Sequence, residues 1–410
     1  MRYLVLLVFL IKSFVYTDAQ TLVNYTTTDG LSSNFVECIE VDIYDNIWVG
    51  SSLGVQKFDG LNWTLYNTNS YPSIASDNIK VISSISNGDV WIGTDFGVSR
   101  FDGIDWFTYD VTNGLNNNQV YSIDETDDGI IWVGTHSGVS FYDGSNWNSY
   151  GFPDLHWSGV NGVTNDINGH VWFSTPLGGV IHKVNSNFIT YDTSSGLLSQ
   201  NETSIAIDNN NNKWIGTGGG VSVLDSSNYI FTHHTRMYIM PPPDTLNPVV
   251  DIEIDYNNNP WIAIYVGYLA EGGVAMWKHL TSDWLDYDHT DGLVGKNIKD
   301  ISIDSENNIW IATTTGISKL ILDVNLDNYE KFNRNELIFP NPSNDIITIS
   351  NFNNQILNFK IFNHLSQLVY FGLIEGDEKK IDVAHLNKGI YYLMIQKNSK
   401  EITSYKFLVQ

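Results

Sequence analysis

Apolar and polar residues alternate along most of the chain in short runs broken by Gly, Asn and Asp. Alternation with a period of two marks half-buried strands. The pattern also recurs. Residues 130–144 read IIWVGTHSGVSFYDG: an apolar run around a Trp, a Gly-Thr, a loop closing on Gly, a second apolar run, then Asp-Gly. Variants are anchored on Trp48, Trp91, Trp132, Trp172, Trp214, Trp261 and Trp310. Repeats of this length must be settled before any single motif is weighed.

Each anchor has the same neighbours. Two residues after it stands a small side chain: Gly50, Gly93, Gly134, Ser174, Gly216, Ala263 or Ala312. Anything larger would hold neighbouring sheets apart. Nine residues before it come Ile39, Ile82, Ile123, Val163, Ile205, Ile252 and Ile301, which mark a preceding strand. Twelve before it lies Val36, Ile79, Val120, Val160, Val249 or Ile298, and Glu202 breaks the rule in repeat five. Asn87-Gly88, Asp128-Gly129 and Asn168-Gly169 supply turns between the two strands. A third strand opens after a Gly, at Val55, Val98, Val139, Val180, Val221, Val274 and Ile317. A fourth carries an aromatic pair, as in Trp63/Tyr66, Trp106/Tyr109, Trp147/Tyr150 and Trp284/Tyr287. Four antiparallel strands in a repeat of this length make one propeller blade. The seventh repeat lacks its fourth strand, and residues 21–27 are expected to supply it and close the ring.

The fold expected is therefore all-β. A signal peptide at 1–19 precedes a seven-bladed β-propeller over 20–322, a linker over 323–336, and a small Ig-like β-sandwich over 337–410. The signal rests on Arg2, the apolar run Leu4–Leu10 and the small residues before Gln20. That run is too short to span a bilayer, so no transmembrane anchor is expected. A formal charge of -25 disfavours nucleic acid as a partner. The one cysteine, Cys38, reads as a small buried filler.

With its IWVG-S/T-x-x-G-V-x-x-F-D-G pattern, the repeat resembles the two-component regulator propeller. That family often forms the sensory part of membrane-spanning hybrid histidine kinases, but no second membrane segment and no kinase pattern accompany these repeats. The C-terminal region resembles the type A sorting domain of the type IX secretion system of Bacteroidetes. The matching stretches are Phe339-Pro340-Asn341-Pro342, Leu386-Asn387-Lys388-Gly389-Ile390-Tyr391 and Lys406-Phe407-Leu408-Val409. Pro340, Asn341, Pro342, Lys388, Gly389 and Tyr391 are thereby implied as sorting-motif residues. The resemblance implies engagement of the type IX machinery, passage across the outer membrane, removal of the domain, and surface attachment or release.

No HExxH, GxSxG or Walker pattern occurs, so no catalytic residue is assigned. Asp208–Asn212, Asp255–Asn259 and Asp304–Asn308 place oxygens at alternate positions, yet none supplies a calcium ligand set, and polar turns explain them better. No metal or cofactor is assigned. Function is sought where the repeat breaks, in the loops after strands two and four, which share one face of the disc. Residues 152–158, 235–248 and 265–272 depart from the repeat there. His136, His156, Trp157, Arg236, Tyr238, Tyr265 and Tyr268 are the candidate ligand-binding residues. Trp157 equally suits a core plug, and Tyr265 or Tyr268 can pack on the neighbouring insertion. The expectation is a secreted or cell-surface binding module for a glycan or a surface protein. The alternative is a polysaccharide lyase or hydrolase pairing His156 or His136 with Tyr238 or Tyr265.

Overall fold

The computed structural model describes residues 20–151, 155, 159–235, 248–265, 272–279, 282–322, 336–339, 345–351, 357–363, 368–374, 378–386, 388–396 and 402–409. Seven antiparallel four-stranded sheets follow one another as blades of a propeller. Their innermost strands are Cys38–Val41, Ile79–Ser84, Val120–Glu125, Gly162–Asn165, Glu202–Ile207, Val249–Ile254 and Ile298–Ile303. Each innermost strand contacts those of the blades on either side, and the first contacts the last. The ring is sealed by Gln20–Tyr25, which pairs antiparallel with Gly316–Leu322 from Gln20↔Leu322 to Tyr25↔Ile317. Tyr25 stacks on Trp310 at 5.5 Å, and Asn24 donates to the Gly292 carbonyl at 3.0 Å.

The repeat signature now has physical causes. Each anchor Trp sits on the second strand of its blade and is almost wholly buried. In five blades its indole N–H donates to an Asp six residues earlier: Asp42, Asp166, Asp208, Asp255 or Asp304. That Asp also caps its own turn, so one carboxylate fixes both the hairpin and the core indole. In blade three the hydroxyl of Thr126 takes the same place for Trp132. Two residues past Trp91, a Cβ on Gly93 would lie 2.5 Å from Val120 Cγ1 of the next blade, a distance no real contact tolerates. The next hairpin turns on Gly97 at φ 120°, where glycine alone is unstrained. Thr94 closes that turn by donating to the Gly97 carbonyl at 2.9 Å. The thiol of Cys38 is buried in the first blade, and that burial pushes its pKa up.

The C-terminal region forms two further sheets. One joins Glu336–Phe339, Ile346–Asn351 and Glu378–Asp382, and the other joins Leu368–Ile374, Leu357–Asn363, Gly389–Gln396 and Ile402–Val409. Ile347, Ile349, Phe359, Ile361, Ile381 and Leu393 lie in the shared apolar core, as a β-sandwich requires. Among the described residues no helix is long and apolar enough to cross a membrane.

Candidate functional site

Seven innermost strands converge on the ring axis and enclose a cavity of about 610 Å³. Its wall is built from positions eleven, ten and eight residues before each anchor Trp. The first of these positions rims the insertion-face mouth, with Glu37, Lys80, Tyr121, Asn161 and Lys299 among its members. Lys299 pairs with Glu37 at 3.3 Å. Deeper positions carry carboxyls: Glu40, Asp124, Asp251, Glu253 and Asp300.

These carboxyls are half-buried and sit close together on the wall of a narrow channel, and the direction of their pKa shifts follows from that. Burial pushes Glu40 up to about 8, against the hydrogen bonds it accepts from Ser84 N at 2.9 Å and Ser302 Oγ at 3.3 Å. Burial likewise pushes Asp124 up to about 7. Asp251 and Asp300 hydrogen-bond to each other, and both are raised by burial. Two carboxyls this close resist ionising together. Burial raises Glu253 as well, with Asp251, Glu40 and Asp124 adding to the effect. The channel is thus a weakly acidic, hydrogen-bonding funnel. It disfavours anions and accepts hydroxyls, amides or cations.

At the mouth, Tyr121 Oη and His136 Nδ1 lie 3.1 Å apart. Tyr121 is the second residue of the innermost strand of blade three, and His136 follows that blade's second strand. Burial and Asp95 hold the phenol above its ordinary pKa, so it stays a neutral hydroxyl. Tyr265 follows the second strand of blade six, half-buried, its backbone N–H donating to Pro248 O at 3.0 Å. Two blades separate His136 from Tyr265, and the hydrogen bond His136 makes is with Tyr121. His156, Trp157, Arg236, Tyr238 and Tyr268 lie outside the described residues, as do Pro340, Asn341 and Pro342. Lys388 is exposed, and Tyr391 packs into the sandwich core. The channel carboxyls and Tyr121 were missed from the sequence. Their signal was present at fixed offsets before each Trp, but only ring closure brings those offsets together.

Comparison with known proteins now places both halves of the chain. Residues 337–410 match the secretion system C-terminal sorting domain. Residues 114–137 and 292–315 match the two component regulator propeller. The chain carries two-component regulator propeller repeats and ends in a type IX sorting tail. A tail of this kind directs export across the outer membrane, to the cell surface or beyond it. No curated protein matches the chain.

Solved structures agree on the fold. The extracellular domain of a putative hybrid two component system from B. thetaiotaomicron is 18% identical with a TM-score of 0.63, covering 95% of this chain and 57% of its own. PorZ, an essential surface component of the type-IX secretion system of Porphyromonas gingivalis, is 17% identical with a TM-score of 0.57, covering 92% and 60%. This chain thus spans about three fifths of the length of those two proteins. A streptogramin B lyase is 11% identical with a TM-score of 0.60, covering 74% of this chain and 98% of its own. At such identities the likeness is one of fold alone.

Proposed function

We propose that the exported propeller is a non-catalytic recognition module that binds a glycan or a surface protein at its insertion face. The observation that carries this is the mouth of the channel. A polar rim with the Tyr121–His136 pair opens onto a carboxyl-lined funnel, on the face where the departures from the repeat are expected from the sequence. Concave sites with a few convergent polar groups are where ligands bind. The carboxyls favour a neutral polyhydroxyl or a cationic partner over a polyanion. Glycan-array and pull-down screens should compare the wild-type chain with His136→Ala/Tyr121→Phe and with Trp157→Ala/Tyr238→Ala. Binding that is lost in either variant supports the reading, and binding unchanged in both moves the site off this face.

A second reading, a lyase or hydrolase working from the same face, has one observation in its favour. Tyr121 and His136 are titratable groups within hydrogen-bond reach, the geometry a proton-transfer pair needs. Incubation with polysaccharides, read by chromatography of the products, separates the two. Cleavage that His136→Ala abolishes while binding persists selects the enzyme; binding without any product selects the module.

A further inference from the structure

The opposite face of the disc holds the turns between first and second strands, and the turn of blade four carries a histidine that none of its six counterparts has. In blades one, five, six and seven the turn Asp is completed by an Asn four residues on. Asn46, Asn212, Asn259 and Asn308 each donate Nδ2 to that carboxylate. Blade four has His170 instead. Across the sheet from the anchor Trp, blades one, two and seven place Lys57, Arg100 and Lys319, each with its charge over the indole. Blade four places His182 there, stacked on Trp172 at 3.9 Å. Both substitutions converge on one carboxylate oxygen.

Asp166 Oδ1 accepts from the backbone N–H groups of Asn168 and His170, at 2.9 and 3.0 Å. Its Oδ2 accepts from Trp172 Nε1 at 3.3 Å, the longest of the Asp–Trp bonds. The same Oδ2 faces His170 Nδ1 at 3.5 Å and His182 Nε2 at 3.9 Å. The three ligand atoms lie within 4.8 Å of one another. Those separations are long for hydrogen bonds. They approach the roughly 3.4 Å between ligand atoms that tetrahedral geometry gives for bonds of about 2.0–2.1 Å. A second observation is independent of the cluster. His182 is 4% exposed, and neither of its ring nitrogens has a hydrogen-bond partner. A buried imidazole with two orphaned nitrogens calls for a partner.

We propose that blade four binds a late first-row divalent cation, Zn²⁺ foremost, through Asp166, His170 and His182. Two imidazoles and one carboxylate are a ligand set such ions favour, and hard oxygen-seeking cations do not. His170 is partly exposed, so the cluster can be reached from solvent on that side. One ammonium bears on the site. Lys213 lies over Trp172 at 5.0 Å, held by the Asn211 carbonyl at 2.9 Å and Asn228 Oδ1 at 2.6 Å. Its charge is attracted first by Asp166 itself, so it competes with a bound cation, and then by Asp225 and Asp208, which offset part of that charge.

The test uses the chain from Gln20 to Gln410 without a polyhistidine tag, stripped with chelator and titrated with Zn²⁺ by calorimetry. One equivalent should bind, and Co²⁺ in its place should give the intense visible absorption of a four-coordinate site. His182→Ala and His170→Asn should each weaken binding by about 100-fold or more, since each removes one of three ligands. His170→Asn installs the residue that four other blades use, so its metal-free melting temperature should match the wild type. Failure of the wild type to bind overturns the proposal. So does undiminished binding by a folded His170→Asn, which would put the ion elsewhere.

Discussion

Both carboxylate oxygens of Asp255 are taken up by N–H donors. Oδ1 accepts from the backbone of Asn257 and Asn259 at 2.9 and 2.7 Å, and Oδ2 from Asn259 Nδ2 and Trp261 Nε1 at 3.1 and 3.2 Å. Asp208 and Asp304 are bonded in the same way. In all three an Asn amide, of Asn212, Asn259 or Asn308, also donates to Oδ2, the place that the two imidazoles take at Asp166, so each of these carboxylates is satisfied within its own blade without a cation. Asp255→Ala leaves the fully buried indole N–H of Trp261 without its acceptor and uncaps the turn. It should cost about 2–4 kcal/mol, read by urea denaturation with an unchanged m-value. A loss below about 0.5 kcal/mol would mean that the carboxylate is incidental. The Trp and the small residue after it were legible because repetition fixes their spacing. The Asp was read only as a turn former, since its second bond, to an indole six residues on, exists only after the hairpin has formed. The His170/His182 pair was less legible still, because the two are joined by strand register and not by sequence spacing.

Strands were legible wherever alternation was bounded by Gly, Asn or Asp, and this covers nearly all of both domains. Glu336–Phe339 was read only as the opening of the C-terminal region, because four residues beside a Pro-Asn-Pro give little alternation to count. Closure was legible as well, from an orphan N-terminal strand matching a missing one. That strand carries Leu22, packed on the core of blades six and seven, and Tyr25, stacked on Trp310. A chain begun at Thr28 should therefore lose about 3–6 kcal/mol, from two apolar side chains at about 1.5–3 kcal/mol each. It should also expose the edge Gly316–Leu322 and self-associate. Light scattering and denaturation together read this. A monomer of wild-type stability would show that the seventh blade stands with three strands.

The whole molecule combines a rigid exported scaffold, a separate tail and an acidic axis. Removing residues 337–410 should leave a folded propeller that accumulates in the periplasm, read by fractionation, and normal surface display would overturn the assignment of export to the tail. Along the axis, net charge says less than placement does. Glu40 is pushed up to about 8 and Asp124 to about 7, both chiefly by burial, whereas the unfolded chain ionises both near the ordinary carboxylate range. Between about pH 4.5 and 8 the native state therefore binds more protons than the unfolded state. Stability then falls as pH rises, and the contribution levels off above the folded pKa values. One full extra proton sets a ceiling of about 1.4 kcal/mol per pH unit, lowered here by water reaching the channel. Self-repulsion of a chain with net charge -25 also grows over this range, so the wild-type trend alone would not isolate the channel. Glu40→Gln does isolate it, because the amide carries the same shape with no proton to lose. Melting temperatures between pH 5 and 8 should fall for the wild type and fall less steeply for Glu40→Gln, whose advantage should be largest at pH 8. Parallel curves would mean that Glu40 is solvated like a surface carboxylate and that the funnel is fully ionised at neutral pH.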